Sequence, residues 1–121
     1  MRAWVCGMVG AAAAVAGCSG PPAPDVLICR DVVHRLCLEP LCAQVTFRLG
    51  VGDSCESALE QRTGCAADDF TFTAPPRERV LECRLPLLRA GIDPDQHPDC
   101  ADVGETLDLC TDVAQWLGAS P

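Results

Sequence analysis

The chain has no tyrosine and no lysine, and its aromatic residues are limited to three phenylalanines and two tryptophans in 121 residues. So few large rings predict a small apolar core, and a small domain with such a core depends on covalent cross-links. Basic residues are also scarce, and the formal net charge is −8. This acidic balance argues against a nucleic-acid partner and against a polybasic membrane patch. It is typical of a soluble, exposed domain.

The C-x-x-C pair, in which two residues separate two cysteines, does not occur in the sequence. That spacing is typical of zinc sites and of dithiol redox catalysts. The ten cysteines are therefore better explained by disulfides, which form in exported chains. We expect no metal and no other cofactor.

The first 24 residues predict where the protein is located in the cell. An apolar run over residues 3–16 is too short for a permanent transmembrane helix and is typical of a secretory signal peptide. It ends in Val15-Ala16-Gly17-Cys18, an aliphatic residue, two small residues and a cysteine, which resembles the lipobox of bacterial lipoproteins. The resemblance implies a signal peptide over residues 1–17, cleavage between Gly17 and Cys18, and attachment of fatty acids such as palmitate to Cys18.

An alternative reading is cleavage by the ordinary signal peptidase after Ala14-Val15-Ala16. Cysteine parity favours the lipoprotein. Cys6 leaves with the signal peptide and Cys18 carries lipid, so an even set of eight cysteines remains: Cys29, Cys37, Cys42, Cys55, Cys65, Cys83, Cys100 and Cys110. Cleavage after Ala16 would leave nine and one spare thiol.

Residues 18–24 predict a lipidated cysteine followed by a stalk, because three prolines in six residues favour extended polyproline II. We expect a protein anchored in the membrane of the bacterial cell envelope. Ser19 in place of aspartate points to the outer membrane, by analogy with enteric bacteria. Arginine as the sole long basic residue is typical of GC-rich coding, as in myxobacteria or actinobacteria.

The remaining residues, 25–118, predict one mostly helical domain of four or five short helices. After Pro24, Asp25 can cap a helix that Pro40 ends, with apolar or cysteine side chains at helical spacing: Cys29, Val32, Val33, Leu36 and Cys37. The stretch 41–51 fits either a short helix, which we favour, or a minor extended segment over 45–51. A second extended segment is expected near 70–73.

Asp53, followed three residues later by Glu56, signals a helix start, and Gly64 signals its end. Pro86 should interrupt a helix over 77–89. A closing helix, broken near Thr111, should present one stripe: Val103, Leu107, Cys110, Ala114 and Leu117. Trp116 is its predicted aromatic anchor.

Helical spacing restricts the disulfides. Cys29 and Cys37 would lie about 12 Å apart along one helix, whereas bonded cysteines need Cα atoms within about 7 Å. Eight cysteines still allow about 105 pairings. Among them we favour an antiparallel ladder that joins Cys29 to Cys65 and Cys37 to Cys55.

Three groups of residues could carry chemistry. Gly52-Asp53-Ser54 is similar to the nucleophile block of the Gly-Asp-Ser-Leu esterases, but Cys55 replaces leucine and the partner D-x-x-H motif is missing. The acidic loop Asp93, Asp95, His97 and Asp99 superficially resembles a calcium loop, but Pro98 occupies its glycine position. His34 is expected to be a rim residue beside Asp31 or Arg35.

None of these three groups has the residues that a known type of catalytic site needs, so we expect a non-catalytic function. We expect a binding or structural module of the cell envelope, held to the membrane by its lipid and contacting an envelope protein. The alternatives are a carrier of an apolar ligand and an inhibitor of a secreted enzyme.

Overall fold

The structure is a computed structural model that describes residues 24–39, 41–88 and 98–120. Within these ranges all regular secondary structure is helical, and no β-strand occurs. The elements are α1 (Pro24–Cys37), a π-helical turn (Gln44–Arg48), α2 (Cys55–Thr63), α3 (Arg77–Cys83), α4 (Leu85–Leu88), α5 (Cys100–Leu109) and α6 (Thr111–Trp116). The predicted small helical bundle is confirmed. None of these helices is both long and apolar enough to cross a membrane.

Helix α1 contributes one buried face to the core. Its buried side chains recur every three or four residues, which places them on one face, and they pack mainly against α2: Val26, Cys29, Val32, Val33 and Leu36. The helix ends at Cys37. Pro40, the predicted terminator, lies outside the described residues.

Four disulfides fasten the helices to one another. Cys29 bonds to Cys65 and Cys37 to Cys55, with Cα atoms 6.1 and 5.7 Å apart, so the predicted antiparallel ladder is confirmed. The other two bonds are Cys42–Cys100 and Cys83–Cys110. All eight cysteines of the described ranges are therefore bonded.

The stretch 41–51 contains a helical turn, so the favoured short helix is confirmed and the alternative, an extended segment over 45–51, is wrong. The backbone N–H of Leu49 donates to the carbonyl of Gln44, five residues earlier, which closes a π-helical turn. This turn buries Val45 and Leu49 while Phe47 stays 80% exposed. The alternation of apolar residues indicated a strand only because Phe47 was counted among the inward side chains.

The second predicted extended segment, near 70–73, has no strand partner among the described residues and forms neither helix nor strand. The backbone N–H of Phe72 bonds instead to the carboxylate of Asp25, at 2.9 Å. Asp25 was expected to cap α1, but it lies within the first turn. The side chain that could have capped its own helix therefore holds a distant loop.

The later helices break where the sequence predicts. Arg84 separates α3 from α4, and Pro86 lies in the first turn of α4, where its missing N–H is tolerated. Cys110 leaves helical geometry between α5 and α6. The predicted stripe of the closing helix is buried at all five positions.

The two ends of α2 differ from each other. Gly64 adopts a left-handed φ of 94°, as the predicted glycine stop requires. Ser54 stands at the start without a side-chain capping hydrogen bond. The motif around Asp53 located the helix start correctly, although no side chain caps it.

Candidate functional site

The cysteines supply no free thiolate in the described ranges. Sulfurs of Cys83 and Cys110 lie with an Asp112 oxygen within 4.8 Å of one another, the spacing of a three-ligand metal site. However, these two sulfurs are bonded to each other, and metals bind the thiolate form. The Asp112 carboxylate already forms an ion pair with Arg79. The cluster is a disulfide beside an ion pair.

The esterase-like motif lies on the surface at the start of α2. Gly52, Asp53 and Ser54 are exposed and line an open hollow with the Cys37–Cys55 disulfide. The structure gives Ser54 the position of a helix N-cap. Among the described residues, no hydrogen bond joins the Ser54 side chain to a histidine.

His34 is a surface residue, as predicted, but its expected neighbours are wrong. Its Nδ1 lies 3.4 Å from Oε1 of Glu56 on α2. Asp31 and Arg35 instead bind each other, with Arg35 Nε 3.1 Å from both carboxylate oxygens. His34 faces α2 because α1 and α2 pack side by side through two disulfides.

The acidic loop lies largely outside the described residues, including Asp93, Asp95 and His97. Asp99 is among the described residues, and its side chain caps α5. Its Oδ1 accepts from the Asp102 backbone N–H at 2.9 Å, and the Asp99 N–H donates to Asp102 Oδ2 at 3.2 Å. These reciprocal hydrogen bonds form a capping box, which gives Asp99 a structural role at the start of α5.

Asp31 joins α1 to the segment between α3 and α4. Besides Arg35, it accepts a hydrogen bond from Arg84 Nη1 at 2.9 Å. All three side chains are one-quarter to one-third exposed. These contacts give Asp31 a structural role, since they hold α1 against the segment between α3 and α4.

An aromatic cluster, which we define as Phe70, Phe72 and Trp116, closes one side of the core. The ring centroids of Phe72 and Trp116 are 5.6 Å apart, and those of the two phenylalanines are 5.0 Å apart in an edge-to-face arrangement. Trp116 also lies 6.4 Å from Phe70. The predicted role of Trp116 as an aromatic anchor agrees with this packing.

A groove opens beside this cluster. Ala74, Pro75 and Pro76 form one wall, and Asp112, Gln115 and Trp116 of α6 form the other. We call it the Pro–Trp groove. It is shallow and open, with a volume of about 490 Å³. The peptide bond before Pro75 is cis.

An ion pair borders the Pro–Trp groove. Arg79 Nε lies 3.0 and 3.3 Å from the two carboxylate oxygens of Asp112. This hydrogen-bonded pairing holds the pKa of Asp112 below its ordinary value of 3.8, helped by the backbone N–H of Val113 and opposed by partial desolvation. It also raises the pKa of Arg79. Both groups are therefore charged at neutral pH.

Gly17 and Cys18, the predicted cleavage and lipidation residues, lie outside the described residues. No protein-family model matches the chain, and neither a curated protein nor a solved structure is significantly similar to it.

The Pro–Trp groove was missed by the sequence analysis. Its signals were present, because Pro75-Pro76 follows two phenylalanines closely and Trp116 stands apart at the other end of the domain. Nothing in the local sequence places 74–76 against α6. The Cys83–Cys110 bond and the aromatic cluster bring those two segments together.

Proposed function

We propose that the chain is a lipid-anchored lipoprotein of the bacterial cell envelope whose domain is a non-catalytic binding or structural module. The observation that carries the proposal is the complete pairing of the eight cysteines downstream of the lipobox. Such pairing is stable in an oxidising, extracytoplasmic compartment. It also matches the parity expected if Cys18 is reserved for lipid.

The non-catalytic part is supported by the structural roles of three titratable side chains in the described ranges. Asp99 caps a helix, Asp112 pairs with Arg79, and His34 contacts Glu56 at an exposed surface. The described cavities are a pocket of about 120 Å³ and open surface hollows. None of these three is the large, enclosed apolar cavity that a lipid carrier needs.

The anchor is expected in the outer membrane, and an envelope protein is the expected partner. The acidic surface disfavours nucleic acid. Stable anchoring needs two or more acyl chains, because one chain binds only marginally. A lipobox cysteine with a diacylated thiol meets that condition.

Membrane fractionation tests the anchor. Cys18→Ser should move the protein from the membrane fraction to the soluble extracytoplasmic fraction, since the acyl chains are lost. Cys6→Ser is the matched control, because it changes a cysteine that is predicted to be removed with the signal peptide and to carry no lipid, and it should leave the protein in the membrane. If Cys18→Ser leaves the protein in the membrane fraction, the lipoprotein proposal is wrong.

The binding role has its own test. Cells carrying the wild-type protein would be treated with a short cross-linker, and the adducts would be identified by mass spectrometry. We expect one or a few reproducible envelope proteins, joined through defined surface residues of the domain. Purified domain that turned over an ester or peptide substrate, with the activity lost in Ser54→Ala, would contradict the non-catalytic role.

A further inference from the structure

The Pro–Trp groove presents a ring that is held in place before any ligand arrives. The indole of Trp116 is half-buried, because it packs on Phe72 and Phe70 with ring centroids 5.6 and 6.4 Å away. Its remaining surface lines the groove together with the exposed Pro76. A ligand that stacks on a ring already ordered by its neighbours avoids the entropic cost of ordering that ring.

The lining of the groove suits a ligand in the polyproline II conformation. Proline-rich segments dock in grooves lined by aromatic side chains, and their preformed helix loses little entropy on binding. The backbone of polyproline II makes no internal hydrogen bonds, so its carbonyls accept from outside donors. Among the described residues, neither the indole N–H of Trp116 nor the side-chain amide of Gln115 has a hydrogen-bond partner. Both donors are therefore open to such a ligand.

The rim of the groove carries an excess of negative charge. Arg79 binds two carboxylates at once, since its Nε lies 3.0 Å from Asp112 and its Nη1 lies 2.9 Å from Glu82. The side chains of Asp112 and Glu82 remain 49% and 69% exposed. One guanidinium balances only one of the two carboxylates, so this rim attracts a cationic group.

We infer that the Pro–Trp groove binds a proline-rich segment of a partner protein that carries an arginine or a lysine next to its prolines. The proline rings stack on Trp116 and Pro76, and backbone carbonyls accept hydrogen bonds from the indole N–H and from Gln115. The basic side chain lies at Asp112 on the rim. This inference rests on the proposed binding role and gives the partner its chemistry, but it does not depend on the lipid anchor.

The charge and shape of the groove disfavour other occupants. Nucleic acid and anionic lipid surfaces are repelled by the acidic rim. A small apolar molecule binds in a concave site that buries most of its surface, whereas this groove is shallow and open. A second copy of the chain carries the same net charge of −8, which opposes its approach to an acidic rim.

The indole N–H of Trp116 reports on occupancy of the groove. We would place Trp4→Phe in the full chain, so that Trp116 is the sole tryptophan, keep all disulfides oxidised, and follow the indole signal by NMR. The probe is an oligoproline peptide with an arginine at each end. Two control peptides separate the contributions: the same oligoproline with a glutamate at each end, and an oligoserine with an arginine at each end.

The arginine-flanked oligoproline should shift the Trp116 indole signal in a saturable way, and the oligoserine should not. Gln115→Ala should weaken the binding about fivefold, as expected for the loss of one hydrogen bond. Gln61→Ala is the matched control, because it removes an exposed glutamine on α2, and it should leave the binding unchanged. The glutamate-flanked peptide should bind at least about fivefold more weakly, and high salt should shrink that difference.

The absence of a saturable shift would overturn the inference. Equal weakening by Gln115→Ala and Gln61→Ala, or equal binding of the arginine-flanked and glutamate-flanked peptides, would also overturn it. Cross-linking in cells judges the binding role separately. Adducts with an envelope protein that avoid both α6 and residues 74–76 would support a binding module and overturn the assignment of this groove.

Discussion

The carboxylate of Asp25 accepts a hydrogen bond from the backbone N–H of Phe72, which is 47 residues further along the chain. The same carboxylate forms an ion pair with Arg77 at 2.6 Å, without hydrogen-bond alignment at Oδ1. Its side chain is only 9% exposed. One buried acid thus ties the first turn of α1 to the segment that carries the aromatic cluster and the Pro–Trp groove.

Replacing Asp25 should therefore loosen that segment. We expect Asp25→Ala to lower the free energy of unfolding by about 1.5–3 kcal/mol, the range for hydrogen bonds to charged groups. Guanidinium denaturation with intact disulfides measures the change. The exposed Asp69→Ala is the control and should stay within about 0.5 kcal/mol of wild type. Equal losses in the two variants would contradict the role of Asp25.

The two buried threonines should respond with opposite signs. Thr106 is 1% exposed and its hydroxyl has no hydrogen-bond partner among the described residues, so Thr106→Val should stabilise the domain by roughly 1 kcal/mol. Thr63 Oγ1 donates to the Leu59 carbonyl at 2.7 Å, so Thr63→Val should destabilise it by about 1 kcal/mol. Thermal unfolding compares both variants. Destabilisation by Thr106→Val would indicate a partner for that hydroxyl.

The Asp112–Arg79 pair should contribute stability that depends on pH. Because the folded pKa of Asp112 lies below its ordinary 3.8, the contribution is fully present above that value and is lost as the pH falls through the lowered pKa. Asp112→Asn should therefore unfold at lower urea than wild type near neutral pH, and the difference should disappear as the pH falls through the lowered pKa of Asp112. High salt should shrink it, since the pair is exposed. Asp53→Asn is the control, and a difference that persists in acid would be inconsistent with the ion pair.

The four disulfides should not be equivalent. Among the four disulfides of the described ranges, Cys42–Cys100 is the sole bond between the half of the chain that holds Cys29–Cys65 and the half that holds Cys83–Cys110. It spans 58 residues, and replacing both cysteines by alanine should cost about 4 kcal/mol in the chain-entropy description.

Cys37–Cys55 is the matched comparison, because it spans 18 residues and is nested within the loop of Cys29–Cys65. Its removal leaves α1 and α2 covalently joined, so the loss of stability should be clearly smaller. Guanidinium midpoints of the two double-alanine variants decide the order. A larger loss for the Cys37–Cys55 variant would show that local packing, and not the length of the closed loop, determines how much each disulfide stabilises the domain.

Local sequence patterns predicted the helices and two disulfides. The spacing of apolar residues in α1 and in the closing helix fixed which side faces inward, and geometry then excluded a Cys29–Cys37 bond. The same patterns failed for Asp25, whose partners are 47 and 52 residues away in sequence, and for His34, whose neighbour is on another helix. The Pro–Trp groove was missed for the same reason, since its walls meet only after folding.

The lipid anchor and the disulfides can be tested together by the intact mass of the protein from a bacterial membrane fraction, alkylated without reduction. A lipid-anchored, fully cross-linked module should give a chain that begins at an acylated Cys18 and carries no alkylated thiol, since eight cysteines form four disulfides. A mass without lipid, or one with alkylated cysteines, would contradict the lipid-anchored, fully cross-linked module.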